Sequence, residues 1–86
     1  MVVTVAKLIG EYSVSYCPPA GRGTRGSLRA YADGSCVFTS QEVRVSLRAK
    51  DIGRRPGFGG RLMLADGSYL LFGSKRAARA FLGHLG

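Results

Sequence analysis

Arg61-Leu62-Met63-Leu64-Ala65-Asp66-Gly67-Ser68-Tyr69-Leu70-Leu71-Phe72 reads as two short apolar segments joined by Asp66-Gly67. Asp-Gly at such a junction predicts a tight hairpin, being among the better short-range turn signals between apolar segments. The return segment, Tyr69-Leu70-Leu71-Phe72, is apolar at every position, which predicts a central strand covered on both faces. Gly73-Ser74 then ends the strand, and the apolar period changes. Ala77, Ala78, Phe81, Leu82 and Leu85 form one helical stripe, with Ser74 placed to cap its first turn and Lys75, Arg76 and Arg79 off the stripe. A hairpin running directly into an amphipathic helix sets the class as α+β.

Working back toward the N-terminus, residues 27–32 and 35–39 flank Asp33-Gly34 and predict a second hairpin. Tyr12, Val14 and Tyr16 alternate with Ser13 and Ser15, the period of a half-buried strand. Val3 and Val5 begin an earlier strand over residues 2–9, and Gly10-Glu11 suits a two-residue turn, so 2–9 and 12–16 form a third expected hairpin. Residues 40–50 carry two patterns. Val43, Val45, Leu47 and Ala49 alternate with Arg44, Ser46, Arg48 and Lys50, which predicts a strand with a cationic outer face. Ser40 followed by Gln41-Glu42, with Val43 and Leu47 four apart, resembles a capped helix. The β-branched residues at 43 and 45 favour the strand. Ala-Asp-Gly-Ser recurs at 32–35 and 65–68, a coincidence expected of a common hairpin turn. The expectation is one small basic domain over residues 1–86: an antiparallel sheet of about five to seven strands built from hairpins, with one C-terminal helix packed on one face. Its core draws on Val14, Val37, Leu70 and Phe72 from the sheet and on Ala77, Phe81, Leu82 and Leu85 from the helix.

A chain of 86 residues buries only about 60% of its unfolded surface. There is room for one modest core and none for a two-lobed catalytic cleft. Thirteen Lys and Arg face five Asp and Glu, a net charge of +8, and ten of the cations are arginine. Residues 22–61 concentrate the imbalance, with nine cations against three acids, net +6. The chemistry of catalysis is thin. His84 is the single histidine and sits two residues from the end; Asp33 and Asp66 are turn residues; Glu11, Glu42 and Asp51 are scattered. Cys17 and Cys36 lie nineteen apart without a CxxC, which makes no zinc site, and they are expected as reduced thiols. No phosphate-binding loop or nucleophile elbow is present. The sequence therefore points away from an enzyme and implies no metal, cofactor or small-molecule substrate. No apolar run reaches a membrane-spanning length, and the start lacks the basic region of a signal peptide, so no membrane partner and a cytoplasmic location are expected.

Residues 17–26 and 51–60, rich in proline and glycine, are expected as loops. The sharper features are the glycine-arginine segments they carry, Gly21-Arg22-Gly23-Thr24-Arg25-Gly26 and Gly53-Arg54-Arg55-Pro56-Gly57-Phe58-Gly59-Gly60-Arg61. Guanidinium pairs two-pronged with phosphate and stacks on flat rings, while glycine lets the backbone approach an anion closely. Phe58, between glycines, is open either to stack on a base or to fold back as a lid on the sheet. With Arg29, Arg44 and Arg48 on strand faces, the candidate surface is Arg22, Arg25, Arg29, Arg44, Arg48, Arg54, Arg55, Phe58 and Arg61. The end of the chain, Phe72-Gly73-Ser74 through Phe81, resembles the strand-turn-helix of three-stranded AP2-type and integrase-arm DNA-binding domains. That resemblance spans about ten residues, is generic to strand-turn-helix units and implies no residue roles. The expected function is non-catalytic binding of nucleic acid, DNA or RNA, through phosphate contacts. The alternative is a small inhibitor or adaptor of phage or mobile-element type, similar in kind to anti-CRISPR proteins, whose arginines meet an acidic protein face.

Overall fold

The computed structural model describes residues 7–85. Six strands and one helix follow in chain order: β1 (Leu8–Cys17), β2 (Thr24–Tyr31), β3 (Ser35–Thr39), β4 (Arg44–Arg48), a short 3-10 turn (Ala49–Asp51), β5 (Arg61–Met63), β6 (Tyr69–Leu71) and α1 (Lys75–Leu85). The strands form one antiparallel sheet in the order β4-β3-β2-β1-β6-β5, curled into a half-barrel with α1 packed against it. The α+β class, the hairpin construction and the C-terminal helix are as the sequence predicts. The last hairpin adds to the free edge of β1 through Ser15↔Leu71, Tyr16↔Leu70 and Cys17↔Tyr69.

The turns explain why these strands pair as they do. In the β2–β3 turn the Asp33 carboxylate accepts from the Ser35 amide at 2.9 Å and from its hydroxyl at 2.6 Å. Asp66 repeats the device in the β5–β6 turn with the amide and hydroxyl of Ser68. These serine hydrogen bonds, side chain first, hold both carboxyls below the usual aspartate range. Between β3 and β4, the Ser40 hydroxyl accepts from the amides of Glu42 and Val43 at 3.2 and 3.1 Å, and the Ser40 amide donates to the Val43 carbonyl. The helix-cap pattern at 40–43 is thus a real serine turn, but it closes a hairpin and leads into strand β4. Residues 44–48 are a strand, and the two Ala-Asp-Gly-Ser turns are not the mark of a structural repeat.

Four expectations need correction. Gly10-Glu11 is not a turn: β1 runs through it, with a register shift between Leu8 and Gly10. The other half of that expected hairpin, residues 2–6, lies outside the described residues. Thr24-Arg25-Gly26 is not loop but the start of β2. A Cβ at Gly26 would lie 2.2 Å from the Thr39 carbonyl oxygen, so this glycine marks close strand approach rather than flexibility. Val37 is not core: it faces outward, and its neighbours Cys36 and Phe38 are the buried pair. Finally, β6 lies between β1 and β5, but only Leu70 is buried, while Tyr69 and Leu71 face the open side of the sheet.

The core fills the inside of the curl with Val14, Leu28, Cys36, Phe38, Leu62 and Leu70, all fully buried. From α1, Ala78 and Phe81 complete it, with Ala77, Leu82 and Leu85 half-buried at its margin. Phe81 meets the Tyr12 ring edge-on at 5.5 Å between centroids and lies 5.1 Å from Phe72. The Tyr12 hydroxyl is hydrogen-bonded to Nδ1 of His84, so the last turn of the helix is pinned to β1. Both cysteines are free thiols, and burial, followed by the charge of Asp33, pushes Cys36 up to about 11.

Two outcomes test this packing. Phe81→Ala should cost about 3–5 kcal/mol by urea denaturation, a large share of the stability of so small a domain. At pH 8 a thiol reagent should leave Cys36 unlabelled until denaturant is added; labelling at the rate of a small-molecule thiol would show that the core is open.

Candidate binding site on the open face of the sheet

Side chains alternate along each strand, so the sheet has a core face and an outer face. The outer face carries Ser13 and Ser15 from β1, Arg25, Ser27 and Arg29 from β2, and Val37 and Thr39 from β3. It continues with Arg44, Ser46 and Arg48 from β4, Arg61 and Met63 from β5, and Tyr69 and Leu71 from β6. The helix lies on the core side and does not cover this surface. Five of the nine candidate residues, Arg25, Arg29, Arg44, Arg48 and Arg61, therefore share one face.

The register arranges them in rows. Arg25, Ser15, Leu71 and Arg61 are successive partners across β2, β1, β6 and β5. Three strand spacings separate the two arginines, about 14 Å along the sheet. Between them lies an open groove of about 430 Å³, lined by Ser13, Ser15, Arg25, Phe58, Arg61 and Leu71 among others. Its floor is hydroxyl and aliphatic, with an arginine toward each end.

Phe58 forms one wall and is 93% exposed. It is no lid. It is also not carried on a loose loop, because the surrounding glycines are fixed. The Gly57 amide donates to the Arg61 carbonyl at 2.8 Å, the Gly60 amide to the Gly57 carbonyl at 3.0 Å, and the Phe72 amide to the Gly60 carbonyl at 3.1 Å. Gly59 and Gly60 hold φ of 69° and 78°, and a Cβ on Gly60 would sit 2.2 Å from the carbonyl oxygen of Ser74, the residue that caps α1. Only glycine lets this turn seat against the helix start.

The arginines differ in their surroundings. The Arg61 guanidinium carbon lies 4.6 Å from the centre of the Tyr69 ring, a cation–π contact that holds the side chain beside the groove. A hydrogen bond with Cys17, then its charge and burial, push the Tyr69 phenol above its ordinary value, against the pull of Arg61. Arg29 donates to Glu11 at 2.8 Å, and that pairing raises its already high value further. Arg29 is thereby partly neutralised, whereas Arg25 faces Ser15 across the strand pair. Arg44 and Arg48 stand on the β4 edge opposite Thr39 and Ser35. Arg22 sits in the exposed β1–β2 connection, and Arg54 and Arg55 in the exposed run before β5.

So the structure brings Arg25, Phe58 and Arg61 together at one groove and spreads Arg29, Arg44 and Arg48 over the same face. Arg22, Arg54 and Arg55 lie in the connecting loops. The floor residues Ser13, Ser15 and Leu71, and Tyr69 against the Arg61 guanidinium, were not among the candidates. The serines were legible as the polar half of the β1 alternation; Leu71 and Tyr69 were hidden by the assumption that an apolar strand is covered on both sides. Among the described residues no cluster of His, Cys, Asp or Glu could hold a metal ion, and no helix is long and apolar enough to cross a membrane. No family model, curated protein or solved structure matches this chain.

The seating of the Phe58 turn is testable by a matched pair. Gly59→Ala meets no atom within 4 Å and bears only its positive φ, a cost of about 1–2 kcal/mol. Gly60→Ala bears a similar φ and also overlaps backbone, so its loss of thermal stability should be clearly larger. Equal losses would show that the turn is not seated on the helix cap.

Proposed function

We propose that this protein is a non-catalytic nucleic-acid-binding module and that the outer face of its sheet is the contact surface. The observation that carries this reading is the pairing of Arg25 and Arg61 at one groove with an aromatic ring left 93% exposed on a fixed turn. Guanidinium forks recognise phosphate, an exposed ring face takes a base, and serine hydroxyls offer adaptable hydrogen bonds between them. The overall charge of +8 supports attraction to a polyanion, with Arg44 and Arg48 extending the cationic field toward the β4 edge. The location consistent with such a partner is the cytoplasm, and the reading requires no cofactor.

Salt dependence tests it. Each phosphate contact contributes a slope of about −0.9 on duplex DNA and about −0.7 on single strands in log K against log salt. Replacing both Arg25 and Arg61 by alanine should weaken oligonucleotide binding and flatten the slope by about 1.4–1.8. Arg76→Ala with Arg79→Ala removes the same charge from exposed helix positions on the other side of the sheet and should leave most of the slope intact. Equal effects from the two pairs would mean diffuse attraction rather than a site. Absence of binding to any oligonucleotide at about 50 mM salt would favour an acidic protein partner for the same face.

A further inference from the structure

We propose that the groove beside Phe58 is a single-strand site: it takes one unpaired base against the Phe58 ring, with the flanking phosphates held by Arg25 and Arg61. This rests on the nucleic-acid reading above and narrows its substrate to unpaired DNA or RNA. Two features of the groove and one property of stacked bases lead to it. An aromatic ring exposed to this extent in a protein with a filled core is not there for packing. Its turn is locked by backbone hydrogen bonds from Gly57, Gly60 and Phe72, so the main chain that carries the ring has little conformational freedom left to lose on binding. A ring face gains from a base only when that base has left its own stack, which in a duplex costs several kcal/mol and in a single strand very little.

The arginine spacing agrees. Arg25 and Arg61 stand about 14 Å apart along the sheet, one on either side of a floor made of Ser13, Ser15 and Leu71. A strand crossing that floor meets cation, hydroxyls and ring in turn, a sequence-tolerant pattern. The geometry suits a duplex poorly. A helix that reads a major groove must be free to enter it, and α1 is spent on the core side, burying Ala78 and Phe81. On the outer face the strands belong to one curled sheet, and beside the groove stands the turn that carries the exposed Phe58.

The test uses labelled oligothymidylate and oligouridylate of about 12 nucleotides and a hairpin duplex of matched length, read by fluorescence anisotropy. Single strands should bind at least about tenfold tighter than the duplex. Phe58→Ala should weaken single-strand binding about five- to hundredfold while leaving duplex binding and the salt slope unchanged, and Phe58→Tyr should restore affinity. The chain contains no tryptophan, so Phe58→Trp adds a unique reporter at a position too exposed to disturb folding. Its emission should be quenched by oligothymidylate and not by the duplex. Oligonucleotide binding that depends on Arg25 and Arg61 but ignores Phe58, or a duplex bound as tightly as the single strand, overturns the single-strand site and leaves the broader reading standing. Loss of the Arg25 and Arg61 dependence overturns both.

Discussion

The antiparallel register of β1 with its two neighbours fixes everything else. Tyr12↔Leu28, Val14↔Gly26 and Tyr16↔Leu70 put one set of alternating side chains inside the curl, and Ser13↔Ser27, Ser15↔Arg25 and Ser15↔Leu71 put the other set outside. A slip of one residue would exchange the two faces, burying serines and arginines and exposing Val14 and Leu28. The burial of Val14, Leu28 and Leu70 therefore holds the outer face in place, although no residue of that face is in the core.

Close backbone approach is the second constraint, and it acts at two glycines. Gly26 lets the start of β2 pass the Thr39 carbonyl, so that Arg25 stands on a strand at a defined height above the sheet. Gly60 lets the Phe58 turn rest on Ser74 at the helix start. Through that contact the helix, which lies on the far side of the sheet, still helps to position the aromatic wall of the groove. Packing and site geometry are coupled here by sterics rather than by charge.

Net charge describes this protein less well than the placement of charge. Lys75, Arg76 and Arg79 lie at exposed positions of the helix, Arg29 is engaged by Glu11, and Arg22, Arg54 and Arg55 occupy loops. The groove itself holds only two arginines, Arg25 and Arg61. What distinguishes it is that these two flank a neutral floor and a bare ring, whereas the remaining cations raise the field over a wider surface.

The amino-acid sequence by itself determined the hairpins at Asp33-Gly34 and Asp66-Gly67, the helix stripe around Phe81 and the alternation of β1, and it favoured a strand over a helix within residues 40–50. Those are local signals, written in turn chemistry and in periods of two and 3.6 residues. It could also name Arg25, Phe58 and Arg61 as candidates by residue type. It could not decide that Gly10-Glu11 continues a strand, that Thr24-Arg25-Gly26 belongs to β2, or that Cys36 and Phe38 rather than Val37 point inward, because each depends on which strand lies alongside. Nor could it find Leu71 and Tyr69 on the groove side. An apolar strand reads as buried on both faces until the sheet order shows that the helix covers only one. The convergence of Arg25 and Arg61, thirty-six positions apart in the chain, exists only because β6 joins the free edge of β1 and brings β5 with it.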